Sequence, residues 1–518
     1  MEKWVVALLI IKICGCVLLV LIGWKILNWV WIRPKRLEKY LRKQGLSGNS
    51  YRLLYGDIKE TATLMKLQEK PMNYFSNDIV HRLFPFILQT LTNYGKNCFV
   101  WFGPTPAAII LDADTIREIL TNRLPFPKPS HNPANKLLTQ GLATYEAHKW
   151  AKHRKLLNPT FQIDKLKLMV PAFYLSCCDM LNKWEEIVGV DGSRELDVWP
   201  YIQALTSDAI SRTAFGSNYE EGRKIFELQN EQIELVKQQN LSLYIPGMRV
   251  LPTKANRRMK AIAEEVKSSV MEIIEKKMRA IESGLDSTDD LLGLLLESNF
   301  KEIQRHGNEF GMSFQDVIEE CKQFYFVGQE TTSSLLVWTM ILLSRHLDWQ
   351  ERAREEISRV LGRGKPDYDK LNQLNIVNMI FHEVLRLYPP LPTFNRIVEK
   401  EISLGKITLP VGVRLVMPLI LLHHDQETWG NDAKEFNPQR FSEGVSKATT
   451  KGQISYFPFG WGPRVCIGQN FAMLEAKMAL SMILRDYSLE FSPSYAHAPH
   501  TKIILQPQYG AHLILHKI

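Results

Sequence analysis

Residues 459–468 read FGWGPRVCIG and set one cysteine, Cys466, among glycines, with Phe459 at the start of the run and Arg464 two residues before the sulfur. The arrangement suits a thiolate ligand to haem iron. A thiolate opposite bound oxygen pushes electron density onto iron and favours O–O cleavage, so such a site activates oxygen rather than storing it. Read alone, the same ten residues also fit a buried structural cysteine.

A second reactive set lies upstream in VGQETTS, 327–333. Beside an open iron position, Glu330 and Thr331 could deliver protons to oxygen. In the plainer reading the hydroxyls satisfy backbone groups and Glu330 is solvated or paired. FHEVLRL, 381–387, puts Glu383 and Arg386 three apart on one helix face, where they can pair. FNPQRF, 436–441, sets Arg440 between aromatics. An arginine in so apolar a setting needs partners, because an uncompensated buried charge costs about 3–5 kcal/mol. Glu383, Arg386 and Arg440 could therefore close one network. Each fragment alone also fits a surface pair, and their order ahead of the cysteine loop is what makes them informative.

The element that must carry Glu330 and Thr331 is a long helix. Ser313 and Asp316 resemble an N-cap, and from there to about His346 the chain has no proline and is mostly apolar, which predicts one buried helix. Gly328 costs about 1 kcal/mol relative to alanine in a helix interior, and threonine can bond back to the carbonyl four residues earlier. Together they predict a local bulge.

Composition narrows the setting. The 518 residues are 45% hydrophobic, enough for a substantial core, and show no repeat or low-complexity segment. The formal charge of +9 comes from Lys and Arg spread along the chain. That pattern does not indicate nucleic acid; an anionic membrane surface or an acidic protein partner fits it. The cysteines are seven, irregularly spaced and without a CxxC pair, so neither a disulfide framework nor a structural zinc site is expected.

Residues 4–24, WVVALLIIKICGCVLLVLIGW, are long enough to cross a bilayer. Lys12 near the centre costs about 2.5–3.5 kcal/mol, but the many Val, Leu and Ile residues contribute about −0.3 to −0.6 each, so insertion wins. Arg33, Lys35, Arg36, Lys39, Arg42 and Lys43 follow the run against Lys3 before it, which places the C-terminal part in the cytosol. The stretch is too long for a cleaved signal, and no small-x-small site follows it. In the cytosol the sequon at Asn240 would stay unused. The apolar segment 241–252, LSLYIPGMRVLP, is either a second membrane contact or a loop packed on the core.

GQETT in a long helix, then ExxR, FxPxRF and FxxGxRxCxG resembles the cytochrome P450 family of haem-thiolate monooxygenases, over essentially the whole chain. The resemblance implies a mainly α fold with a smaller β region, preceded by a single N-terminal transmembrane helix. The expected divisions are an anchor and flank at 1–32, a basic linker at 33–60 and the haem-thiolate domain at 61–518. It implies haem b with Cys466 as thiolate axial ligand, Phe459 beside it, and Gly462 and Gly468 giving room for backbone near the sulfur. Trp150 and Arg154 in HKWAKHR match the family's WxxxR; with Arg396 and Arg464 they would contact the haem propionates. Thr331 and Glu330 match the alcohol and acid of the proton route, and Glu383, Arg386 and Arg440 the structural network. Two positions depart from the pattern: Val327 stands where a small residue is usual, and Gln439 replaces a glutamate.

Within the family the chain is similar to plant members of the seventy-two clan, such as secologanin synthase and triterpenoid oxidases. This implies a monooxygenase in the endoplasmic reticulum membrane, single-pass with a cytosolic catalytic domain. It would hydroxylate an apolar plant metabolite with O2 and electrons from NADPH, delivered by NADPH–cytochrome P450 reductase docked on the Cys466 side. A triterpenoid is the expected substrate, with an iridoid or gibberellin-type diterpenoid as the alternative. Pocket candidates are Phe324, Val327, Leu391, Thr393 and Phe394, the loop 132–141 and the turn near Tyr509. A non-oxygenating isomerase or dehydratase would be expected to lose the Glu330–Thr331 pair, which is present; a haem-binding sensor would need neither that pair nor a reductase.

Overall fold

The computed structural model describes residues 2–122, 124–129, 133–138, 140–217, 219–240, 251–284, 289–450 and 454–518. The candidate membrane loop at 241–252 therefore lies almost wholly outside the described residues, as do parts of the loop 132–141. The helices that matter for the site are α1 (Glu2–Leu27), α2 (Arg33–Lys43), α3 (Ala147–Leu157), α4 (Ile163–Val188), α5 (Trp199–Phe215), α6 (Tyr219–Asn240), α7 (Phe314–Arg345), α8 (Asn375–Leu387) and α9 (Gln469–Asp486).

The long helix α7 runs through the centre. Ser313 and Asp316 close a reciprocal capping box at its start, each side chain taking the other's backbone N–H. It is apolar on nearly every face, so it buries nearly every face, against α5, α8 and α9 among others. The expected bulge is absent: Phe314–Arg345 is α-helical throughout. Thr331 does bond back, its Oγ1 donating to the Val327 carbonyl at 2.9 Å. Gly328 answers to packing instead. A Cβ there would lie 2.7 Å from the Ile210 side chain, so the missing side chain is what lets α5 close on α7.

Strands β1 (Phe99–Phe102), β2 (Thr105–Ile109), β3 (Phe394–Ile397) and β4 (Arg414–Met417) form one sheet in the order β1-β2-β4-β3. The β2–β4 pair is parallel and the other two are antiparallel; the register sets Arg396 opposite Leu415. Smaller antiparallel sheets join Ser193–Asp197 and Tyr487–Phe491 to His512–Lys517, Ile402–Leu404 to Ile407–Leu409, and Pro499–Thr501 to Leu505–Pro507. The stretch expected as a linker is largely built into the fold: α2 packs on β2, and a further helix follows at Ile58–Leu67. α1 is long and apolar enough to cross a membrane.

The ion network expected from sequence is closed. Arg386 donates Nε and Nη2 to the two carboxylate oxygens of Glu383 at 2.7 and 2.6 Å, with both side chains sealed from solvent. Its other donors reach the carbonyls of His423, Ala433 and Glu435. Arg440 lies 3.5 Å from Glu383 and pairs with Asp432, while the Asn437 amide donates to Glu383. Gln439, the departure, sits beside this network and takes a long surface contact from Arg352.

Candidate active site

Cys466 sits two residues before Gly468, the N-cap of α9, so its sulfur is at the positive end of a helix. The Cys466 amide donates to the Phe459 carbonyl at 2.9 Å, which folds the loop back on itself. Gly462 has φ +69°, and a Cβ there would lie 2.9 Å from the Leu120 carbonyl. Burial pushes the Cys466 thiol up, and the Gly468 amide and the Arg154 charge pull it down. The residue is deep in the protein yet keeps accessible side-chain surface. That combination belongs to a group lining an internal cradle rather than filling a core.

Helix α3 presents Trp150 and Arg154, one turn apart, to this loop. Arg154 Nη1 donates to the Val465 carbonyl at 2.9 Å, next to the cysteine. The Arg464 guanidinium lies 4.7 Å from the Trp150 ring centroid, donates to the Tyr145 carbonyl at 2.9 Å and pairs with Glu146. Arg396 comes in from β3, 8% exposed, and burial with the Arg464 charge holds its pKa down to about 10.

A fourth cation was not anticipated from sequence. Burial, with Arg396 and Arg464 nearby, brings Lys128 down to about 7, with the Glu146 charge opposing them. Its backbone amide donates to Glu146 and its Nζ to the Ala143 carbonyl. Among the described residues Lys128, Arg396 and Arg464 share the carboxylate of Glu146, which leaves an excess of positive charge that fits a cofactor bearing two carboxylates. The thiol cradle and this cation cluster together fit haem. Lys128 lies in a Pro-rich loop, and no spacing to another motif marked it.

On α7, Glu330 is buried, and burial raises its pKa to about 7, against the opposing Lys502 charge. It lines a cavity of about 250 Å³ with Trp199, Gln203, Asn230, Lys502 and Gln506. Val327, one turn earlier, joins an apolar cluster with Leu138, Ile233, Val236, Phe326 and Ile503. The other pocket candidates are dispersed. Phe324 packs edge-on against Phe161, itself next to Gly468. The Phe394 ring lies against Gly460 of the cysteine loop, Thr393 donates to the Met417 carbonyl, and Leu391 is 39% exposed. Tyr509 is on the surface, its hydroxyl donating to the Glu69 carbonyl; the turn that reaches α7 is the one at Lys502 and Ile503. Phe326 and Ile233 were missed because apolar residues at helical spacing look the same whether they line a pocket or a core, and Ile503 because it lies in a turn whose place beside α7 is set only by the fold.

A cysteine loop at a helix start, a long buried helix carrying an acid and an alcohol, and a sealed ExxR network define a haem-thiolate oxygenase. Residues 76–515 match the family model described as Cytochrome P450. The chain belongs to the cytochrome P450 family. It is 60% identical to Cytochrome P450 CYP72A219 of Panax ginseng over 98% of this chain and 99% of that one. It is 53% identical to 7-deoxyloganic acid hydroxylase of Catharanthus roseus over 96% of each. Among solved structures, retinoic acid bound cyanobacterial CYP120A1 superposes with a TM-score of 0.72 at 21% identity, covering 84% of this chain and 94% of that one. The chain is thus a monooxygenase of the CYP72A type, using haem with a cysteine thiolate, a reductase partner and O2.

Proposed function

We propose that this chain hydroxylates a terpenoid, with a triterpenoid as the first reading, as a single-pass protein of the endoplasmic reticulum membrane with residues 61–518 in the cytosol. The observation that supports the substrate reading is the buried apolar cluster of Leu138, Ile233, Val236, Phe326, Val327 and Ile503, of which Ile233 and Ile503 also line the cavity at Glu330 and give it an apolar side for a hydrocarbon skeleton. The relative named for 7-deoxyloganic acid supports an iridoid acid as the second reading. α1 and the cations that follow it support the membrane assignment.

Haem bound at Cys466 supplies oxygen activation with electrons that reach it from NADPH through the reductase. The protein's part is to hold and to move protons. Trp150, Arg154, Lys128, Arg396 and Arg464 would hold the propionate edge, and the Gly468 amide would steady the thiolate. Glu330, with a pKa of about 7, can both take and release a proton at cellular pH. Thr331, fixed by its bond to Val327, offers the adjacent hydroxyl as the next carrier. Glu383, Arg386 and Arg440 touch none of this and lock the segment behind it.

The test is expression with a plant reductase, feeding triterpenoids, iridoids and gibberellin-type acids, and reading products by mass spectrometry. A hydroxylated triterpenoid supports the first reading; turnover of iridoid acids alone replaces it with the second. A reduced carbon-monoxide difference spectrum checks the ligand, since Cys466→Ser must lose the thiolate Soret band.

A further inference from the structure

α7 grips a short loop that belongs to the cation cluster. Residues 141–146 lead into α3 and open with a turn in which the Gly141 carbonyl accepts the Thr144 and Tyr145 amides, both at 2.9 Å. The two amides inside that turn are satisfied from α7 instead: Leu142 donates to Glu320 at 3.1 Å and Ala143 to Gln323 at 2.9 Å. Glu320 and Gln323 are both buried and stand three apart, so they share one face of the helix.

The same six residues offer their acceptors to the cations. The Ala143 carbonyl takes Lys128 Nζ, and the Tyr145 carbonyl takes Arg464 Nη2 at 2.9 Å. Glu146 accepts the Lys128 amide at 3.1 Å and pairs with Arg464. The two sets of contacts meet in Ala143, whose N–H is bound to α7 and whose C=O is bound to Lys128. A lysine ammonium is a point charge on a flexible four-carbon stem, so it settles where its acceptor is held. Gln323 thus fixes Lys128 through one residue of backbone. Gln323 also lies seven residues, about 10 Å, before Glu330 on one unbroken helix, so α7 carries the acid of the oxygen side and an anchor of the cation cluster together.

We propose that Gln323 is a positioning residue for the haem propionates: by holding Ala143, with Glu320 holding Leu142 beside it, it sets where the Lys128 ammonium meets the propionate edge. A cation held there favours ferrous haem, which carries one electron more than ferric, and it also retains the cofactor. The proposal rests on the reading that Lys128 and Arg464 face the propionates.

The test measures, on the full-length holoenzyme, the midpoint potential of the haem and the rate of haem transfer to excess apomyoglobin, for the wild type, Gln323→Met, Lys128→Gln and the double variant. Methionine is unbranched, adapts to the space glutamine leaves and changes no charge, but offers Ala143 no good acceptor. Gln323→Met should lower the potential and speed haem transfer about tenfold. Lys128→Gln should do both at least as strongly, and adding Gln323→Met to it should change neither further, because the two act through one contact. Ser176→Ala removes a buried bond to Asp208 between α4 and α5, which controls for lost stability alone, and should leave both readings at wild-type values. An unaffected Gln323→Met beside an affected Lys128→Gln overturns the positioning role. So does a second loss of full size in the double variant, or an equal loss in Ser176→Ala. If Lys128→Gln itself changes neither reading, the propionate assignment falls and the proposal with it, a result distinct from the others.

Discussion

His153 Nδ1 lies 2.6 Å from Glu320 Oε1, with both side chains sealed from solvent. The pair ties α3 to α7, and α7 also holds the loop that leads into α3: Glu320 accepts the Leu142 amide and the neighbouring Gln323 accepts the Ala143 amide. Gly141 has φ +128°, and a Cβ there would lie 2.9 Å from Glu320. Ala143 in turn takes Lys128, so the clamp reaches the cation cluster. Glu320→Ala leaves His153 unpaired and should cost about 3–5 kcal/mol. Glu320→Gln keeps the amide contacts and should cost less than half of that. Thermal unfolding of both variants, with hydrogen exchange at 140–145, checks the order.

The Glu383–Arg386 pair predicts a harsher result. Each group is fully buried and Arg386 satisfies three carbonyls besides, so Arg386→Leu strands both Glu383 and those oxygens. Loss of about 3–5 kcal/mol is expected, enough to leave little haem-containing protein. Arg386→Lys should not rescue it, because one ammonium cannot reproduce the forked contact. Soret absorbance per unit protein is the measurement.

How much of this was legible in the sequence depends on spacing. Glu383 and Arg386, three apart, and Ser313 with Asp316 are local pairs whose partners sit within one helical turn, so their contacts could be named in advance. Arg440 needed only the inference that a buried guanidinium has a partner. Lys128 and Gln323 could not be read that way, because each meets partners brought together only by the fold. The bulge at Gly328 failed for a related reason: the local rule priced the glycine within its own helix, whereas Ile210 of a neighbouring helix explains it.

Glu330 and Thr331 carry the proton prediction. Because Glu330 titrates at about 7, wild-type turnover should fall as pH rises through neutrality. Glu330→Gln should lower turnover by about 10²-fold and abolish that pH limb while keeping the Soret spectrum. Thr331→Ala should keep haem and NADPH consumption but divert electrons to hydrogen peroxide; unchanged coupling of NADPH to product would remove Thr331 from the route.

Acid should destabilise the protein along two slopes. Burial lowers His423 and His424 to about 3 and His382, His497 and His500 to about 4. From the ordinary value of 6.5 downward the unfolded chain binds these protons and the folded chain does not, so each histidine lowers stability by about 1.4 kcal/mol per pH unit. Down to 4.5, buried Glu320, Glu330 and Glu475, all raised, take up protons in the folded state and offset part of that loss. Below 4.5 the unfolded chain protonates its glutamates too, and the offset stops growing. Unfolding temperature should therefore decline gently from pH 6.5 to 4.5 and steeply below it. His382→Asn, which retains a hydrogen-bonding group near the Tyr456 hydroxyl, should flatten the steep limb. A single uniform slope from 6.5 to 3 would contradict this opposition of buried histidines and buried acids.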